Sequence, residues 1–344
     1  MSSKYGGIME QEESIKLAYL AGIMDGDGSF SLCKRNSTPN PLFYPMIQLA
    51  NQNKELIHSF YDQFGGYINL RKSWVGKDGS QRKDSWRWKL EKRQCLNFLN
   101  KIIPFLIVKK QRAEYLLNYI GENVFKRGIK LTSETIIQRE KSRLKMISFN
   151  VEKNMNRSCS GRRRKTPLID PVFWSYVSGL MDSDGSFSIK RETKNICKSF
   201  KYLPIISLSM TDIEGLNHIT KHCPYGNIKL IKSKNTRSGL CYRFSIHSHE
   251  ESALFIESCL PYLRIKKERA KILYKFCKNK KRTKYCRVGV SAEENSFREE
   301  CYKELIELNN GVYKSPLIDL EILQQDNKAE DESHRERLNK KTSK

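Results

Sequence analysis

Asp27 and Asp184 close two near-identical stretches in a chain of 344 residues. Leu17–Phe30 reads Leu-Ala-Tyr-Leu-Ala-Gly-Ile-Met-Asp-Gly-Asp-Gly-Ser-Phe, and Trp174–Phe187 reads Trp-Ser-Tyr-Val-Ser-Gly-Leu-Met-Asp-Ser-Asp-Gly-Ser-Phe. Each is an apolar helical run that stops at Asp-x-Asp-Gly-Ser-Phe. Small residues stand at matching places, Ala21 and Gly22 in one and Ser178 and Gly179 in the other. Such residues let two helix backbones come close. Packed side by side, the two runs would bring both Asp-x-Asp ends together. Acid would then sit at two helix C-termini, where the macrodipole is already negative. Nothing about folding favours that place for Asp27 and Asp184. A divalent cation reverses the argument, because hard cations take carboxylate and carbonyl oxygens.

The elements around each stretch repeat as well. Glu13–Asp25 reads as a helix with Ser14 as its cap. Four alternating runs follow, at Gly28–Arg35, Tyr44–Asn51, Tyr67–Lys72 and Ser85–Glu91. Each has one apolar and one polar or basic face, as in a sheet with one side on a core and one side open. Helical spacing marks Lys54–Phe64, Cys95–Phe105 and Lys110–Gly121. The second half offers strands at Gly185–Arg191, Leu203–Met210, Asn227–Lys232 and Cys241–His247, and helices at Ile213–His222, Ser248–Leu260 and Lys267–Asn279. Pro104-Phe-Leu-Ile-Val-Lys-Lys-Gln-Arg-Ala113 matches Pro261-Tyr-Leu-Arg-Ile-Lys-Lys-Glu-Arg-Ala270. Asp27 to Lys109 is 82 positions, and so is Asp184 to Lys266. Two motifs at a shared spacing point to duplication. Lys165–Asp170 reappears as Lys314–Asp319, and the helical run Arg139–Asn150 resembles Arg298–Asn309, so the repeated unit includes an extension. The expected organisation is a tip at 1–11, a first half at 12–122, a basic, partly helical extension at 123–170, a second half at 171–279, a C-terminal extension at 280–323 and a disordered polar tail at 324–344.

The chain carries 63 Lys and Arg against 38 Asp and Glu, a formal net charge of +25. That excess points to a polyanion. The longest apolar run, Ile102–Val108, has seven residues, far short of the roughly 18 of a membrane span. Glu10, Glu12 and Glu13 near the N-terminus fit neither a secretory leader nor an Arg-rich transit peptide. Ten cysteines without a Cys-x-x-Cys read as reduced thiols. His218-x-x-x-His222-Cys223 has no second pair of ligands and reads as a helix end.

With both copies in view, the chain resembles the LAGLIDADG homing endonucleases and intron maturases in their single-chain, two-motif form. Leu20-Ala-Gly-Ile-Met-Asp-Gly-Asp-Gly28 keeps six of the nine letters, and Val177-Ser-Gly-Leu-Met-Asp-Ser-Asp-Gly185 keeps five. The resemblance covers Glu12–Gly121 and Pro171–Asn279. It implies an α+β fold of two pseudo-symmetric αββαββα halves, motif helices packed at the interface, and two antiparallel sheets forming a saddle for DNA. It further implies divalent metal, Mg²⁺ or Mn²⁺, held by Asp27 and Asp184 with backbone carbonyls of Gly26 and Ser183. Asp25 and Asp182 would satisfy backbone donors.

The resemblance also places Lys109 and Lys266 in solvent pockets beside the metal, and a polar amide, Asn51, near the end of the second strand. Its counterpart is Met210, so the two sites would be unequal and one strand would be cut faster. Metal ions a few ångströms apart would make a double-strand break with short 3′ overhangs. Recognition is expected from the polar sheet faces, since strand ribbons fit the major groove. The candidates are Ser29, Ser31, Gln48, Asn69, Arg71, Arg87 and Lys89, then Ser186, Ser188, Lys190, Ser207, Lys229, Arg243 and Ser245. Arg162–Lys165 and Lys278–Lys284 would add salt-sensitive affinity. The expected partner is a double-stranded DNA target bound by a monomer, with no membrane. The alternative is an RNA maturase that helps its host intron splice, alone or alongside cleavage. The expected compartment is an organelle, mitochondrion or chloroplast, with a bacterial cytoplasm as the other choice.

Overall fold

In the computed structural model, residues 2–36, 40–75, 81–123, 131–149, 167–193, 200–231, 241–279 and 291–310 are described. The chain divides into two compact units, 1–306 and 307–344, and both copies of the motif lie in the first. The first copy ends α1 (Ser2–Gly26). Next come β1 (Gly28–Arg35), β2 (Leu42–Asn51), α2 (Lys54–Phe64), β3 (Tyr67–Arg71), the short β4 (Trp74–Val75) and β5 (Gln81–Arg82), and β6 (Ser85–Glu91). α3 (Cys95–Ile102), α4 (Lys110–Glu122) and α5 (Ser133–Ser148) complete this part. The second copy forms α6 (Pro171–Ser183). It leads to β7 (Gly185–Thr193), β8 (Phe200–Met210), α7 (Ile213–His222), β9 (Asn227–Ile231), β10 (Cys241–Ile246), α8 (His249–Cys259), α9 (Lys267–Lys278) and α10 (Ala292–Asn310).

Two four-stranded antiparallel sheets result, ordered β1-β2-β6-β3 and β7-β8-β10-β9. The alternation in sequence becomes two faces. In β1, Gly28, Phe30 and Leu32 are buried while Ser29, Ser31 and Cys33 are partly exposed. Trp88, at the centre of the first sheet, packs with Phe60 and Phe98, ring centroids 5.1 and 5.3 Å away. The helix caps follow local chemistry. Asn53 and Asp212 accept from Leu56 N and Glu214 N at the starts of α2 and α7, satisfying donors that a helix N-terminus leaves open.

α1 begins well before Ser14. That hydroxyl donates to Glu10 O within the helix, so the cap expected there is corrected. The apolar pattern starts only at Ile15 because residues 10–13 of α1 are exposed. α1 and α6 cross at Gly22 and Gly179. A Cβ on Gly22 would lie 2.1 Å from Tyr176 O, and one on Gly179 would lie 2.1 Å from Tyr19 O. Only glycine fits such an approach. Ala21 and Ser178 are also buried, and Ser178 Oγ donates to Trp174 O and Cys259 O.

Among the described residues no helix is long and apolar enough to cross a membrane. His222 ends α7 and Cys223 caps it. His218 stacks among Phe173, Tyr176 and His222, and burial lowers its pKa to about 4. The expected Arg162–Lys165 segment, residues 280–284 and the 324–344 tail lie outside the described residues.

Candidate functional site

The crossing delivers both motif ends to one place. A Cβ on Gly26 would lie 2.0 Å from Ser183 Oγ and 3.3 Å from Asp184 Oδ2. The first acids do not face outward. Asp25 is buried and accepts from Ile107 N, Val108 N and Lys109 N at 2.8, 3.0 and 2.8 Å, and from Tyr176 OH at 2.8 Å. Asp182 accepts from Arg264 N, Ile265 N and Lys266 N at 2.7, 3.0 and 2.8 Å, and from Tyr19 OH at 2.8 Å. Each therefore fixes the turn that carries its half's lysine and is tied by a tyrosine of the opposite motif helix. Burial pushes the Asp25 carboxyl up, against the pull of its three backbone donors.

Lys109 Nζ donates to Met24 O, Gly26 O and Gly28 O at 2.9, 2.7 and 2.7 Å. Lys266 Nζ does the same to Met181 O, Ser183 O and Gly185 O at 2.9, 2.9 and 2.7 Å. Each ammonium closes the carbonyl end of its motif helix, where positive charge is favoured. Burial brings both lysines down to about 8, opposed first by Asp25 for Lys109 and by Asp182 for Lys266.

The second acids are left for other work. Burial raises the Asp27 carboxyl, and the charge of Asp184 adds to this, while Asn51, Lys266 and Lys109 pull it back. Burial also raises Asp184, against Lys109 and Lys266. Asn51 Nδ2 donates to Asp27 Oδ2 at 2.9 Å, and its Oδ1 is held by Asn53 N at 2.8 Å. The register makes Met210 the counterpart of Asn51. Each lies two residues beyond a leucine paired with the motif glycine, Leu49 with Gly28 and Leu208 with Gly185. A thioether cannot repeat that donation, and no described residue donates to the Asp184 carboxylate.

The donor set is all oxygen: Asp27, Asp184 and the carbonyls of Gly26 and Ser183. Among the described residues no three His, Cys, Asp or Glu gather as a metal cluster. Two carboxylates still suit Mg²⁺, which keeps waters and completes its shell with substrate phosphates. A carbonyl that accepts from lysine retains a second lone pair.

The strand register aligns the polar side chains in rows. Ser29, Gln48, Lys89 and Tyr67 stand in one row of the first sheet, and Arg87 pairs with Asn69. Arg71 lies opposite Ser85 at the edge, stacked 4.4 Å from the Trp74 ring. Ser31 Oγ shares a hydrogen bond with Ser29 Oγ at 3.1 Å. In the second sheet, Ser186, Ser207, Ser245 and Asn227 form the equivalent row. Arg243 pairs with Ser209 and Lys229, and its Nε donates to Ser209 Oγ at 3.1 Å. Ser188 lies opposite Ile205, and Lys190 pairs with Glu192 at 2.7 Å. Ser245 is only 8% exposed, so little of it is open to a ligand. Tyr67, 52% exposed, Asn227 and Ser209 also stand on these faces. Sequence alone does not single them out, because partnership across a sheet shows only in the register.

Residues 177–287 match the family model described as LAGLIDADG endonuclease. The chain belongs to the LAGLIDADG family. It is 28% identical over 151 residues to the uncharacterized cox1 intron-2 37.2 kDa protein of Schizosaccharomyces pombe, a match spanning 43% of this chain. The chain spans 38% of the length of that curated relative. It is also similar in fold to meganuclease I-SmaMI bound to uncleaveable DNA. There the TM-score is 0.57 at 17% identity, covering 88% of this chain and 98% of the other. The LAGLIDADG homing endonuclease I-GzeII in complex with its DNA target gives a TM-score of 0.56 at 16% identity, covering 87% and 99%. I-SmaMI bound to an uncleaved DNA target in the presence of calcium ions gives 0.57 at 16% identity, over 87% and 99%. The α+β architecture expected from the motif is thus the observed one.

Proposed function

We propose that this LAGLIDADG protein is a site-specific homing endonuclease that makes a metal-dependent double-strand break with short 3′ overhangs. The convergence of the Asp27 and Asp184 ends, across a helix crossing that only glycine permits, carries the reading. Mg²⁺ or Mn²⁺ bound there would supply an activated water and a counter-charge for the leaving oxygen. Asp27 and Asp184 hold that charge, each serving one strand, with the Gly26 and Ser183 carbonyls beside them. Lys109 and Lys266 fix those carbonyls and offset the two acids. Asn51 orients the Asp27 carboxylate. The open sheet rows read base edges in the major groove through Gln48, Arg87, Asn69, Lys89, Arg71, Arg243 and Lys229, with the serines adding shorter contacts.

The match to a cox1 intron protein supports an intron-encoded role and an organelle, the mitochondrion before the chloroplast. It also favours the second reading, a maturase acting on host intron RNA, with or without cleavage. The chain works as a monomer, since it supplies both motifs itself. Incubation with intronless host-gene DNA and Mg²⁺ should give a double-strand break. Asp27→Asn or Asp184→Asn should abolish it and leave binding in place. Undiminished cleavage by either variant removes that residue's role, and splicing measured with and without the protein decides the maturase reading.

A further inference from the structure

The extension helices make the same contact twice, and the nuclease mechanism uses neither copy. Lys34, near the outer end of β1, reaches Glu140 of α5 at 2.9 Å, and its Nζ lies 5.5 Å from the Phe43 ring. Arg191, near the outer end of β7, reaches Glu299 of α10 at 3.1 Å, and its guanidinium lies 4.6 Å from the Phe200 ring. Lys34 and Arg191 are 157 positions apart, as are Phe43 and Phe200, and as are Asp27 and Asp184. The contact therefore belongs to the duplicated unit.

Its direction decides what it is for. Lys34 follows Phe30 and Leu32 on the apolar side of β1, and Arg191 follows Phe187 and Ile189 on the apolar side of β7. Neither cation stands in the polar rows. Each is turned toward its extension helix and held there by an acid and an aromatic ring. An exposed ion pair alone contributes little, but neither pair stands alone. Glu140 also takes Arg143 at 2.6 Å. Glu299 also accepts from Tyr202 OH, and the Tyr302 ring covers Arg191 at 4.9 Å.

We propose that Glu140 and Glu299 are positioning residues: α5 and α10 brace the outer ends of the β1–β2 and β7–β8 hairpins, so that the outer half of each recognition face is held in register with DNA. Lys34 lies six residues from Gly28, roughly 20 Å along a strand at about 3.3 Å per residue. That corresponds to about six base pairs from the cleavage point at about 3.4 Å per step. The DNA part of this inference rests on the endonuclease reading; the brace does not.

The test separates them. Hydrogen exchange is followed in the full chain without DNA, for wild type, Glu140→Gln, Glu299→Gln and the reversed pair Lys34→Glu with Glu140→Lys. Amides of residues 31–35 and 42–46 should exchange at least fivefold faster in Glu140→Gln, with residues 47–51 unchanged. The reversed pair should return them to within twofold of wild type. Glu299→Gln should act likewise on residues 189–193 and 200–205. Cleavage of a target library should then lose discrimination several-fold at the outer base pairs of the affected half only, with a raised KM and an unchanged kcat on the best site. Unchanged exchange at the hairpin ends overturns the brace, and discrimination lost equally at the central base pairs overturns its role in recognition. No cleavage by wild type would count against the nuclease reading while the exchange result still judges the brace.

Discussion

Replacing Gly22 with alanine sets two known effects against each other. In a helix interior alanine is favoured over glycine by about 1 kcal/mol, so propensity alone predicts a more stable protein. The crossing predicts the reverse. The new Cβ would lie 2.1 Å from Tyr176 O and 2.8 Å from Leu180 N, whereas carbon and oxygen settle at about 3.3 Å or more. The helices must part by about 1 Å. Overpacking a tight core typically costs about 1–3 kcal/mol, and backbone atoms cannot turn aside as a side chain can. The net change should be a loss of about 2 kcal/mol or more. Gly121 is the control. It lies in the last turn of α4, and a Cβ there meets no heavy atom within 4 Å, so Gly121→Ala should be neutral or stabilising by up to about 1 kcal/mol. Urea unfolding at neutral pH compares the three proteins. Cleavage by Gly22→Ala should also fall at least tenfold, because Asp27 is carried away from Asp184. A Gly22→Ala protein as stable as wild type would refute the packing argument and weaken the site built on it.

Asp184→Asn should stabilise the metal-free protein at pH 7 while abolishing cleavage. Its folded carboxyl titrates above the usual 3.8, so between those values the folded state binds more protons and stability falls as pH rises. The advantage of the asparagine should vanish below about pH 4, where the carboxyl is protonated in both states, and an advantage unchanged across that range would contradict the sign. Lys109→Met should slow cleavage at least a hundredfold; it removes the donor shared by three carbonyls, and near-normal single-turnover rates would show that the ammonium is dispensable. Met210→Asn should bring the nicking rates of the two strands on supercoiled target closer together, and wild-type strands cut at equal rates would remove the basis for that change.

Element order could be read from sequence because both periods were clean. The Phe30–Leu32 and Trp86–Trp88–Leu90 alternations gave faces that the sheets keep. The start of α1 could not be read, because the visible periodicity marks where the helix meets α6 and not where it begins. Trp74–Val75 and Gln81–Arg82 are too short to show alternation at all. At the site, the 82-residue spacing found Lys109 and Lys266. It could not show that each Nζ turns back onto three carbonyls of its own motif helix. The spacing from Asp25 to Lys109 equals that from Asp182 to Lys266, and this was the available sign that the first acids carry the lysine turns.

The paired tyrosines have a consequence for anyone who would recombine such halves. Tyr19 grips Asp182 and Tyr176 grips Asp25, so neither half owns all the supports of its own lysine turn. A chimera joining one half of this chain to a foreign partner would inherit a loosened turn on both sides unless the donor brought a hydroxyl to the same depth. Interchangeability among relatives should therefore follow this handshake more closely than overall likeness.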